Sequence, residues 1–269
     1  MSEQEVGPIA EVEPYSAFAT VYNAAGFPTF SQNMIGIIQG LLARHRAAPR
    51  RILDLACGTG AAAVAFARLG YEVVGVDRSD AMLAQARQLA DGLPVTLVQQ
   101  DMRELALDAS VDAAFCLFDS LNYLLETGDL VRTFGGVREA LAPGGLFLFD
   151  MNTRAGLAQR WAESHRVQFD RDDLFLAAHT AYDHETHLAT DTLTGFVLDG
   201  ESGRYRRFRE VHVERGYGLA EIDAALAEAG LEVVERQGLV ASDTRSGPLR
   251  LTDLTPAAGR VLYMARRGA

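Results

Sequence analysis

Between residues 51 and 151, short apolar runs alternate with stretches whose apolar positions recur at helical spacing. Residues 52–56 form an apolar run ending at the glycines of CGTG. Residues 61–69, rich in alanine and closed by Gly70, predict a helix, and residues 72–76 a second strand. Ser79 stands where an N-cap belongs, ahead of a helix reaching residue 90, and residues 95–99 give a third strand. A fourth strand over 111–117, a helix over 129–141 and a fifth strand over 145–151, after the turn APGG, complete the series. Strands that are apolar throughout belong to a parallel sheet covered on both faces, so the pattern predicts a doubly wound, mostly parallel α/β core.

On either side the pattern changes. Residues 15–30 mix aromatics with Gly26 and Pro28, which predicts short helical or irregular structure before a helix over 32–44. From residue 167 to 213 three strand segments, DLFLAAHTAY, LATDTLTGFVL and RYRRFREVHV, are separated by the polar joints DHETH and DGESG. Such spacing predicts an antiparallel meander inserted into the core. A helix over 219–229, closed by Gly230, and the strands LEVVER and RVLYMARR then return to the main sheet. The expected organisation is a helical leader over 1–50, a core over 51–152, a β insert over 153–217 and a return over 218–269.

A chain of 269 residues is long enough for one large α/β domain and a modest added layer. Its formal charge of −11 repels polyanions on average, so nucleic acid is not an expected partner. Cys57 and Cys116 have neither CxxC spacing nor further partners for a disulfide framework, and each falls in an apolar strand region. The leader MSEQEVGPIAEVEP is acidic and lacks the basic and apolar segments of a secretory signal. No apolar run approaches the roughly 18 residues of a membrane span. These features together give the expectation of a soluble, cytoplasmic protein, monomeric or homodimeric, with no membrane partner.

The chemistry begins at CGTG. Gly58 and Gly60 let the backbone turn sharply after a strand and admit a ligand where a β-carbon would obstruct it, while the following helix points its N-terminus at the same place. Asp77 ends the next strand about 20 residues on, where a carboxylate can accept both ribose hydroxyls. An adenosine-type ligand fits these features. The stretch GTGAAA also satisfies the looser GxGxxA pattern of nicotinamide and flavin dinucleotide proteins, but that reading leaves DLACGTG and QQDM without a purpose.

The ordered series ILDLACGTG, VVGVDRSDAML, QQDMREL, FDSLNYL and LAPGGLFLFDM resembles the class I S-adenosylmethionine-dependent methyltransferases over nearly the whole chain. Within them the chain is similar to bacterial small-molecule enzymes with an antiparallel insert, including aminosugar N,N-dimethyltransferases, through YSAFATVY, FDSLNYL and FREVHV. The aspartate and asparagine of FDSLNYL depart from the aminosugar pattern. The resemblance implies a seven-stranded Rossmann-like sheet and S-adenosyl-L-methionine as cofactor. It implies that Asp54, Ala56, Gly58 and Gly60 flank the methionine part, that Asp77 holds the ribose, and that Arg78, Met82, Asp101, Met102 and Leu117 surround the adenosine. Tyr15 and Tyr22 would close over the cofactor as a lid.

Asp119, Asn122 and Tyr123 follow the fourth strand at the carboxyl edge, where ligands of open α/β sheets bind, and are candidates for acceptor contact with His212 of the insert. His184 and His187 in DHETH are one residue short of the HExxH zinc spacing and fall in a turn, so no metal site is expected. The arginines of RYRRFR alternate along a strand; edge protection is their ordinary role, and binding a substrate carboxylate or phosphate the alternative. In methyl transfer the cofactor carries the electrophile, so the protein supplies orientation and water exclusion. A neutral amine needs no more than that, whereas a hydroxyl benefits from a base such as His212 or Asp119. A small polar amine is the expected acceptor, with oxygen methylation or a non-catalytic cofactor-binding scaffold as alternatives.

Overall fold

The computed structural model describes residues 12–241 and 248–268; residues 1–11 of the acidic leader therefore lie outside it. A one-turn helix α1 (Ala19–Tyr22) and a longer α2 (Thr29–Arg44) precede the alternating core. That core runs β1 (Arg51–Leu55), α3 (Ala61–Arg68), β2 (Glu72–Asp77), α4 (Asp80–Leu89), β3 (Val95–Gln99), β4 (Val111–Cys116), α5 (Thr127–Ala140) and β5 (Leu141–Asn152). After α6 (Arg154–Arg160) come β6 (Ser164–Asp170), β7 (Leu174–Tyr182), β8 (Leu188–Leu198) and β9 (Tyr205–Arg215). Finally α7 (Leu219–Glu228), β10 (Leu231–Ala241), β11 (Leu249–Thr252) and β12 (Arg260–Arg267) complete the chain.

The main sheet has the order β11-β10-β12-β5-β4-β1-β2-β3, parallel from β3 to β5 and antiparallel from β12 outward. It carries the seven expected strands and one more, the short edge strand β11. Alternate residues of each strand serve the two faces. Leu53, Val74 and Phe147 pack with Phe134 of α5 and Ile222 of α7, whereas Ile52, Val73 and Phe115 pack with Ile38 of α2 and Phe66 of α3. Both faces being covered explains why the strands read as unbroken apolar runs. The chain winds outward in opposite senses on either side of β1 and β4, and a crevice opens beyond their carboxyl ends.

The inserted sheet has four antiparallel strands, β6-β7-β8-β9, rather than three. Thr180, Asp191 and His212 lie opposite one another across β7, β8 and β9, and Glu210 and Glu214 share His212's face because successive strand side chains alternate. That face meets the leader, where Phe18 and Val21 pack on Leu174, Leu176, Leu193 and Phe208. Cys116 ends β4 as expected, but Cys57 lies in the turn after β1; both are buried free thiols.

Candidate active site

The turn after β1 is shaped by backbone conformation. Ala56, Gly58 and Gly60 all have positive φ, at 57°, 54° and 80°. A β-carbon on Gly58 would meet no protein atom within 4 Å, while one on Gly60 would press on Ala86 at 3.0 Å. The first glycine thus leaves ligand space and the second lets α3 pack against α4. Buried Asp54 caps α3 by accepting the Ala63 N–H; burial, with a smaller push from Asp77, raises its carboxyl to about 7. Asp77 accepts the N–H of Gly58 and of Ser79, each at 2.8 Å, and so ties the turn to the start of α4. Burial raises its carboxyl despite these donors.

A cavity of 730 Å³ extends from this turn across the ends of β1 and β4 to the inserted sheet. Of the residues expected around the cofactor, Tyr15, Tyr22, Ala56, Gly58, Asp77, Arg78, Met82, Asp101, Met102 and Leu117 line it. Asp54 and Gly60 stand behind the wall, shaping the turn. The Asp101 carboxylate is engaged by the guanidinium of Arg103, with Nε at 2.9 Å and Nη2 at 2.6 Å, which lowers its pKa. Four non-glycine lining residues have positive φ: Tyr15, Ala56, Phe118 and Asp119. Each such residue costs of order 1–3 kcal/mol, so backbone strain is concentrated where a ligand would sit.

Across the cavity runs a chain of hydrogen bonds. The Tyr15 and Tyr123 hydroxyls are 2.7 Å apart, the Tyr123 hydroxyl is 2.9 Å from Nδ1 of His212, and Nε2 of His212 is 3.2 Å from Oε2 of Glu210. Both ring nitrogens of His212 are thereby engaged by protein groups. Burial holds both phenols well above their usual range. Glu210, fully buried, also accepts the backbone N–H groups of Tyr15, Ala17 and Phe18, each at 2.8 Å. Burial works against its charge, but the His212 and leader hydrogen bonds prevail and hold its pKa below the usual value.

Next to this chain lies a buried charged cluster. Arg260 sits between the carboxylates of Asp119, at 3.0 Å, and Asp150, while its guanidinium carbon lies 4.6 Å above the Phe30 ring. Asn152 donates Nδ2–H bonds to both Asp119 and Glu214. Burial and then the Asp119 charge push the Glu214 carboxyl well up. Asp119, Tyr123, His212 and Glu214 all line the cavity, but Asn122 does not. Its amide donates to the carbonyls of Asn152 and Arg215 at 3.0 and 2.8 Å and accepts the Asn152 N–H at 2.9 Å, so its polar atoms are spent joining β5 to β9. Asn122 is a structural tie, and acceptor contact is not its role.

The arginines of RYRRFR lie outside the cavity, and Arg207 covers the Phe196 ring at 5.6 Å. His184 and His187 occupy the β7–β8 turn, and among the described residues no cluster of three or more metal-ligating groups occurs. Sequence reasoning missed Glu210, Glu214, Arg160, Arg166 and Arg260, all but Glu210 in the cavity wall. The signal for the glutamates was present: in EVHVE the polar residues alternate with valines, the period of a strand with one polar face.

A sulfonium-bearing adenosine needs a carboxylate for its ribose, room close to the glycine backbone and an apolar flank, and Asp77, the open side of Gly58 and Met82 provide these. The fold, glycine turn and cavity define a Rossmann-like methyltransferase. Residues 52–145 match the Methyltransferase domain family. The demethylmenaquinone methyltransferase of Thermus thermophilus is 40% identical over 191 residues, 69% of this chain and 76% of that protein. The dTDP-3-amino-3,4,6-trideoxy-alpha-D-glucopyranose N,N-dimethyltransferase of Streptomyces venezuelae is 30% identical over 189 residues, 70% of this chain and 77% of that one. A crystal structure of an S-adenosylmethionine-dependent methyltransferase from Clostridium acetobutylicum superposes with a TM-score of 0.76 at 26% identity, covering 94% and 98% of the two chains. The chain belongs to the S-adenosylmethionine-dependent methyltransferase family. Among the described residues no helix is long and apolar enough to cross a membrane.

Proposed function

We propose that the protein transfers a methyl group from S-adenosyl-L-methionine to the amine nitrogen of a small polar acceptor. Bound cofactor supplies the electrophilic methyl group. In this reading the turn 56–60, Asp77, Arg78, Met82, Asp101, Met102 and Leu117 hold the cofactor, and Tyr15 and Tyr22 cover it. Asp119, Tyr123, His212 and Glu214 face the acceptor across the same cavity.

The observation that carries the choice of nitrogen is the engagement of His212 at both ring nitrogens. A histidine held by Tyr123 on one side and Glu210 on the other keeps no free nitrogen for a substrate hydroxyl, and the buried phenols resist ionisation. Orientation suits an amine, which gives its proton to solvent before transfer and then attacks the methyl carbon through its lone pair as the bond to the sulfonium sulfur breaks. Family relatives that act on amine nitrogen, such as the Streptomyces venezuelae N,N-dimethyltransferase, support the same choice. Incubation with methyl-labelled cofactor and matched pairs of amines and alcohols tests it: labelled N-methyl products are expected, and a preference for the alcohols would reject it.

A further inference from the structure

Five arginines line the cavity: Arg78, Arg103, Arg160, Arg166 and Arg260. Three are paired with acids, Arg78 with Glu13 at 3.8 Å, Arg103 with Asp101, and Arg260 with Asp119 and Asp150. Arg160 and Arg166 make no hydrogen bond or ion pair with any described residue, in a chain with an excess of acidic groups. Both belong to the acceptor half. Arg160 ends α6, and Arg166 lies on β6 opposite buried Ala178 of β7, on the face that the inserted sheet turns inward. Arg160 and Arg166 are both exposed at the cavity; desolvation, then the like charge of Arg260, lowers the pKa of Arg160. Asp119, Glu214 and Asp150 act on Arg160 through space, but none is within ion-pair distance of it, so both guanidinium groups border one cavity with their donors open to a bound anion.

The cofactor's own carboxylate is the first competitor for these groups. The chain order argues against it: the glycine turn follows β1, whereas α6 follows β5, two strands further along the main sheet, and β6 belongs to the inserted sheet. We propose that Arg160 and Arg166 form an anion-binding subsite for the methyl acceptor, so that the acceptor carries a carboxylate or phosphate group in addition to the atom methylated. This rests on reading the inserted-sheet side of the cavity as the acceptor site.

Binding of the anion is measured without turnover, so the result does not depend on whether nitrogen or oxygen is methylated. With saturating S-adenosylhomocysteine filling the cofactor carboxylate position, inorganic phosphate and malonate are titrated calorimetrically at fixed ionic strength. At least one anion is expected to bind, and Arg160→Gln and Arg166→Gln are each expected to weaken it by ten-fold or more. Arg204→Gln, an exposed arginine outside the cavity, is expected to leave it unchanged. Preference for phosphate or for malonate identifies which anion the acceptor carries. The proposal is overturned if neither anion binds, if the two variants bind it as the unaltered protein does, or if they weaken S-adenosylhomocysteine instead, which would assign the arginines to the cofactor.

Discussion

The carboxylate of Glu210, on β9 of the inserted sheet, accepts the backbone N–H of Tyr15 at 2.8 Å across 195 residues of chain. The same carboxylate takes two further leader N–H groups and faces His212, while on the cofactor side the Tyr15 carbonyl accepts from the Ser79 hydroxyl at 2.8 Å. The leader is therefore strung between the acceptor wall and the helix that follows Asp77.

Replacing Glu210 with Gln exchanges an oxygen acceptor for an NH2 donor facing backbone N–H donors, and a buried unsatisfied group costs about 1–3 kcal/mol. Glu210→Gln is expected to raise amide exchange across residues 15–21 and to weaken S-adenosylhomocysteine binding, as read by hydrogen exchange and calorimetry. Protection equal to that of the unaltered protein would show that Glu210 does not hold the leader.

The same carboxylate gives a pH dependence. Its folded-state pKa lies below the usual value, so the stability it contributes is fully present above the unfolded value, near 4.3, and is lost as pH falls through the folded value. Leader protection is expected to hold at pH 6 and to fall below about pH 4 in the unaltered protein, and to be flat over that range in Glu210→Gln.

Asp54 works in the opposite sense. Its carboxyl is raised to about 7, and its Oδ2 is buried without a hydrogen-bond partner. A raised carboxyl favours folding below the unfolded pKa, and that advantage is lost as pH rises toward 7. Asp54→Asn keeps the capping oxygen for Ala63 without the charge, so its melting temperature is expected to exceed that of the unaltered protein at pH 8 and not at pH 4. Equal melting curves at pH 8 would mean that the charge is compensated.

Asp77→Asn is expected to weaken cofactor binding by about 1.5–3 kcal/mol, the scale of a charge-assisted hydrogen bond, by calorimetry. Because Asp77 also receives the Gly58 and Ser79 N–H groups, part of that loss comes from a loosened turn. Unchanged affinity in the folded variant would remove Asp77 from the cofactor site.

The core was legible because its strands are buried on both faces and its helices are opened by Ser79 or closed by Gly70 and Gly230, signals that survive without tertiary context. Strand β6 was not read as a strand, since SHRVQFD begins with polar residues that face a cavity or stay exposed and shows little apolar alternation. At four residues, β11 is too short to show a period. Around the cavity, the glycine turn and Asp77 are legible because they are local in sequence, and Gly58 and Asp77 stand in its wall. Glu210 and Arg260 act through contacts remote in sequence, made by the inserted sheet and β12 in the folded chain, and Asn122 looked functional because its pairing with Asn152 and Arg215 is equally remote.

The claim that orientation, with no dedicated base, drives methyl transfer is tested most directly by single-turnover kinetics of His212→Asn with saturating cofactor and a reactive acceptor. With both nitrogens of His212 engaged in holding Tyr123 and Glu210, the substitution is expected to slow transfer by less than about ten-fold, well short of the roughly 10²–10⁴-fold that general-base loss produces. A fall within that larger range, with cofactor binding and fold intact, would contradict the claim and make His212 the base for a hydroxyl acceptor.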